Sequence, residues 1–168
     1  AIEQKPDNGM SKDTFWALIQ EAKTACGQDM DAITEHLRDG LLIMGTGAAR
    51  QFHNIFQAYM DLAEPFGLWD AASIIKENGC TLEGFIRAWL IAQGKAVYLN
   101  ALRDPDTLAD VEPYGDCSFE SIAYVGNDVY HNLTGQDAYG DLDTAGYLKL
   151  RDELQSEVVY RDGIHVPS

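Results

Sequence analysis

No lysine or arginine occurs between Asp104 and Leu148, a stretch that carries ten acids: Asp104, Asp106, Asp110, Glu112, Asp116, Glu120, Asp128, Asp137, Asp141 and Asp143. A block of one sign repels itself, so it must bury the aromatics that interrupt it or meet something positive. Cations are scarce in the whole chain, with 12 lysines and arginines against 27 acids and a formal charge of −15. Binding to nucleic-acid phosphate or to anionic membranes depends mainly on lysine and arginine, so neither is expected. The charge implies a basic protein partner, beside the plainer reading that it serves solubility alone.

Other absences narrow the field. Cys26, Cys80 and Cys117 form no close pair, which argues against a disulfide framework and suits a reducing compartment. There is no C-x-x-C or H-E-x-x-H, and His36, His53, His131 and His165 stand far apart, so no zinc site and no cofactor is implied. No apolar run reaches the roughly 18 residues that span a bilayer, and no charged-then-apolar leader is visible. Cytoplasm is the expected location. Because the chain begins Ala1-Ile2, export after leader cleavage stays open.

The residues present describe helices. Residues 1–10 read as a loose leader. Ser11 can cap a first helix in which Phe15, Ile19, Ala22 and Cys26 share a stripe, ended by Gly27. Asp29 or Asp31 starts a second, with Met30, Ile33 and Leu37 inward, ended at Gly40. A short apolar run, Leu41–Met44, precedes Gly45-Thr46-Gly47, read as a flexible hinge. It lacks the third glycine and lysine of a phosphate loop. From Ala48, Phe52, Ile55, Phe56, Tyr59, Met60 and Ala63 give a wide apolar face closed by Pro65 and Gly67.

A fourth helix is expected over 68–78. Thr81 caps a fifth holding Phe85, Ile86, Trp89 and Leu90, with a break at Gln93-Gly94, and a sixth carries Val97, Tyr98, Ala101 and Leu102 to Asp104-Pro105. Ser118 can cap a helix with Phe119, Ile122, Tyr124 or Val125, Val129 and Leu133 inward. Thr144–Val158 is a last helix with Leu148, Leu150 and Leu154, before a tail in which Ile164 and Val166 alternate. All five prolines fall between or outside these helices, where a missing N–H is harmless. The expectation is all-α: one domain over 11–158, an array of six or seven amphipathic helices with an irregular acidic segment and an exposed tail over 159–168.

Three stretches of this pattern belong together: Asp13-Thr14-Phe15-Trp16; Leu68-Trp69-Asp70 with Gly79-Cys80-Thr81-Leu82-Glu83-Gly84-Phe85; and Arg87-Ala88-Trp89-Leu90-Ile91-Ala92-Gln93-Gly94 with Tyr98 and Asp104-Pro105-Asp106. Over about residues 11–135 the chain resembles the bacterial family labelled domain of unknown function 4240. The resemblance implies a small helical domain, found alone or appended to larger proteins, with no established activity, so it carries no catalytic residue across. The chain departs from the pattern at Gly45-Thr46-Gly47 and after Gly135.

Candidate sites follow from residue chemistry. Cys80, near a helix N-terminus, sees the positive end of the dipole and is the one candidate nucleophile, although no base lies near it in sequence. Arg87, one turn after Glu83, can grip an anion, or bridge to Glu83 or Asp70. Trp16, Trp69 and Trp89 can anchor an interface or fill the core, with Trp16, off the Phe15–Ile19 stripe, the one favoured for the surface. Asp141, Asp143 and Asp152 imitate a calcium loop in which Ala145 and Lys149 spoil two ligand positions, and an acidic helix start is the plainer reading of the first two.

The acids Asp106, Asp110, Glu112, Asp116 and Glu120 make the expected docking surface. The leading expectation is a non-enzymatic interaction module, in concrete form an immunity or antitoxin-type inhibitor that covers the positive cleft of a basic toxin or nuclease. An enzyme built near Cys80 and Arg87, and a calcium-stabilised domain, are the alternatives.

Overall fold

A computed structural model describes residues 11–27, 29–63, 86–103, 120–138, 144–156 and 158. These form seven helices and no strand: α1 (Lys12–Cys26), α2 (Met30–Met44), α3 (Thr46–Leu62), α4 (Ile86–Ala92), α5 (Lys95–Arg103), α6 (Glu120–Thr134) and α7 (Thr144–Gln155). The all-α expectation holds for the described residues. The fourth helix of the sequence reading, over 68–78, and the tail lie outside them.

Local chemistry sets the helix ends. The Ser11 hydroxyl accepts from the Thr14 amide at 3.2 Å, and the Asp29 carboxylate accepts from the Ala32 amide at 3.1 Å. Each satisfies one of the amides a first turn leaves unbonded, worth about 1 kcal/mol. Between α4 and α5 the chain turns at Gly94, whose φ of 110° lies where side chains other than glycine's are strained.

The second helix does not end at Gly40. It runs unbroken to Met44, absorbing the apolar run that was expected to stand apart, and the interruption is the single residue Gly45 at φ 104°. Thr46 and Gly47 already belong to α3, so the expected hinge of three residues is a one-residue elbow. The physical reason is modest. An interior glycine costs a helix about 1 kcal/mol relative to alanine, and burial of Leu37 and Leu41 on either side of Gly40 outweighs that.

The core is organised around α3, which packs against α6, α7, α2, α4 and α1. Ala48, Ala49, Phe52, Ile55, Phe56, Ala58, Tyr59 and Leu62 are all buried, nearly every side of the helix. Phe15 and Trp16 of α1 meet Phe52, Phe56 and Tyr59 with ring centroids 4.8–6.2 Å apart. Tyr98 of α5 closes the cluster, 5.2 Å from Tyr59 and 5.5 Å from Trp16. Burying each phenylalanine contributes about 2–3 kcal/mol. The polar tips are also satisfied: Trp16 Nε1 donates to the Tyr59 hydroxyl at 3.0 Å, and the Tyr98 hydroxyl donates to the Tyr59 carbonyl at 2.6 Å.

Two leucines expected inside are outside. Leu148 is 43% exposed because α7 packs through Tyr147, Leu150, Arg151 and Leu154, an i, i+3, i+4, i+7 stripe that leaves Leu148 beside it. Leu133 is exposed to the same degree because residues 131–137 of α6 and its following turn all face solvent. The last helix also stops at Gln155, short of the expected Val158.

Candidate functional site

The interior offers one titratable group that stands out. His53 of α3 is 3% exposed, and burial pushes its imidazole down to about 4, so it is neutral near pH 7. Its backbone lies against Gly126 of α6. Elsewhere on α3, the Tyr147 hydroxyl of α7 donates to the Asp61 carboxylate. Burial, reinforced by that carboxylate, raises the Tyr147 phenol above its ordinary range and keeps it protonated. Among the described residues no three histidines, cysteines, aspartates or glutamates converge as metal ligands.

An open cleft of about 600 Å³ lies between the start of α1, the first half of α3 and the end of α7. Ile55, Leu150 and Leu154 form its apolar floor, while Lys12, Glu153, Gln51, Ser11 and Ser156 line its sides. One cation, one acid and two hydroxyls on an apolar base can hold a small amphiphilic group. They do not compose a catalytic set.

The sequence candidates are placed as follows. Trp16, favoured for the surface, is 5% exposed, and Trp89 is 1% exposed, so both serve the core. Trp16 was misjudged because α1 buries two adjacent positions, Phe15 against α3 and Trp16 between Tyr59 and Tyr98, rather than a single narrow stripe. Arg87 points its guanidinium at the end of α3 and donates to the Met60 carbonyl at 2.9 Å, the role of a helix C-terminal cation. Asp152 stands exposed on α7. Glu120 opens α6, and its side chain lies outside the description, as do Cys80, Trp69, Asp106, Asp110, Glu112, Asp116, Asp141 and Asp143.

The electrostatics of the surface follow a rule that composition could not show. Every acid whose side chain is described is exposed except Asp61, whereas among the described lysines and arginines only Arg103 and Lys149 are. The other described cations are half-buried, and two are visibly committed inward. Lys23 Nζ donates to the Gln93 carbonyl at 2.7 Å, tying the end of α1 to the α4–α5 turn, and Arg87 holds the end of α3. Burial lowers the affinity of Lys23 for its proton, the expected cost of such a position. Lys23 and Arg87 thus close helix ends, while the described acids other than Asp61 are exposed.

On α2 the outward acids fall in line. Asp31, Glu35 and Asp39 are spaced i, i+4, i+8, and the next position on the ridge is Ile43, 86% exposed, with Met44 beside it at 42%. Arg38, the one cation of the helix, turns toward Asp128 of α6, 4.0 Å away. Sequence reasoning missed Ile43 because it ended the helix at Gly40; carried on at helical spacing, the same acids would have placed it on the solvent ridge.

The fold is thus an all-α single domain whose described surface is acidic and whose interior is aromatic. A family described as a protein of unknown function (DUF4240) matches residues 10–132, from the start of α1 through most of α6, and the chain belongs to that family. No curated protein and no solved structure matches it. No described helix is long and apolar enough to cross a membrane.

Proposed function

We propose that the protein is a non-enzymatic interaction module that docks a basic protein through its acidic surface. The outward acids and inward cations carry this reading. The chain carries a formal charge of −15, and the described acids other than Asp61 are exposed; such a charge produces a negative field that accelerates encounter with a positive surface and repels anionic competitors. An inhibitor that covers the cationic cleft of a nuclease-like toxin, as an immunity protein or antitoxin does, is the concrete form. Such a cleft is built for phosphate, and carboxylates at similar spacing compete for it.

The test is affinity capture from the native host at about 50 mM and about 500 mM salt, where exposed attractions are screened beyond roughly 14 Å and 4 Å respectively. A captured protein of high isoelectric point that is lost at the higher salt supports the reading. Capture only of neutral or acidic proteins, or retention indifferent to salt, contradicts it.

A further inference from the structure

We infer that the end of α2 is the apolar anchor of this docking surface, and that its occupant is a cationic amphipathic helix of the partner. The inference rests on the basic-partner reading above and names the place and shape of the contact. Single exposed apolar side chains are ordinary on proteins. Ile43 is different in two respects: Met44 is exposed next to it, and it ends a ridge of three carboxylates. From Asp31 to Ile43 the ridge measures about 18 Å at the rise of an α-helix, and its acids recur every turn.

A helix laid along that ridge meets a carboxylate at each turn and an aliphatic side chain at the end. Lysines or arginines at i, i+4 and i+8, followed by a leucine or phenylalanine one turn on, are its complement. Arg38 does not spoil the match, because it is turned to Asp128. A second copy of the chain is the poorer occupant, since a two-fold contact sets the same patch against itself and opposes Glu35 and Asp39 to their own equivalents. An anionic membrane is disfavoured by the same carboxylates.

The experiment uses two fluorescent peptides of about 18 residues, long enough to cover the ridge. One is a helix with lysines along one flank and leucines on the contacting face; the other replaces the leucines by glutamine at equal charge. Fluorescence anisotropy is read at low and high salt for the full chain, for Ile43→Ser and the milder Ile43→Ala, for Glu35→Gln with Asp39→Asn, and for the distant pair Asp152→Asn with Glu153→Gln. The wild type should bind the leucine peptide about tenfold more tightly than the glutamine peptide, the scale of one buried aliphatic side chain. Both Ile43 variants should lose most of that preference with an unchanged melting temperature. The α2 pair should weaken both peptides severalfold, and the α7 pair neither by more than about twofold.

Salt-sensitive binding indifferent to every α2 substitution overturns the anchor and leaves the basic-partner reading standing. Absence of salt-sensitive binding to either peptide overturns both.

Discussion

Gly126 of α6 lies against the backbone of His53 of α3, so closely that a β-carbon at Gly126 would stand 2.9 Å from the His53 amide nitrogen and 3.0 Å from the Ala49 carbonyl oxygen. Both neighbours are backbone within a helix and cannot swing aside, so the glycine sets how near the two helices come.

Gly126→Ala should therefore destabilise the protein. The alanine gains about 1 kcal/mol in helix propensity, but forcing a methyl group into a full helix crossing costs roughly 1–3 kcal/mol. The expected net loss is a fall of a few degrees in melting temperature, at about 2–4 °C per kcal/mol for a chain of this size. A rise in melting temperature would show that α3 and α6 are farther apart than described.

His53 gives the protein an acid-sensitive component. Its imidazole titrates near 4 when folded and near 6.5 when unfolded, so between those values the unfolded chain binds the extra proton. Stability contributed by the neutral imidazole is complete above about pH 6.5, declines as the pH falls, and is lost by about pH 4, a total of about 3 kcal/mol. Urea unfolding at intervals from pH 4 to 7 should show a shallower pH slope for His53→Gln than for the wild type. Parallel slopes would mean that the ring reaches water in the folded protein.

The division between inward cations and outward acids predicts opposite responses to charge removal. Lys23→Met keeps most of the apolar stem but deletes the donor to Gln93, and should cost about 1–2 kcal/mol. Glu35→Gln and Asp39→Asn remove charges that face water and repel others of their sign, so they should leave the melting temperature unchanged or raise it slightly. Differential scanning calorimetry at low salt checks both. Equal destabilisation by the two kinds of substitution would contradict the assignment.

Much of the fold was legible in local chemistry. Ser11, Gly27 and Asp29 are cap and stop residues whose side chain or conformational freedom acts within one turn, and the apolar stripe of α3 is wide enough to declare a central helix. The sequence reading failed where the deciding interaction was tertiary. Gly40 looks like a stop, yet Leu37, a turn before it, and Leu41, directly after it, are buried and hold α2 together across it. Trp16 looks peripheral on a helical wheel, yet the hydroxyl of Tyr59, 43 residues away, supplies the partner that lets an indole be buried. Leu148 looks like core until α7 is seen to turn its Tyr147–Leu154 stripe toward α3.

The surface was less legible than the core. Composition disclosed the amount of negative charge but not its display, because that depends on where each cation is used. Lys23 and Arg87 are ordinary in sequence, and only the carbonyls of Gln93 and Met60, brought to them by folding, show that they do not shield neighbouring acids.

The central claim is that exposed carboxylates draw in a basic partner. It is tested most directly by the association rate with the captured protein, measured by stopped flow from about 50 to 500 mM salt. Electrostatic steering predicts a fall of roughly tenfold or more over that range, with the dissociation rate changing far less. An association rate that stays flat as salt rises would contradict the account.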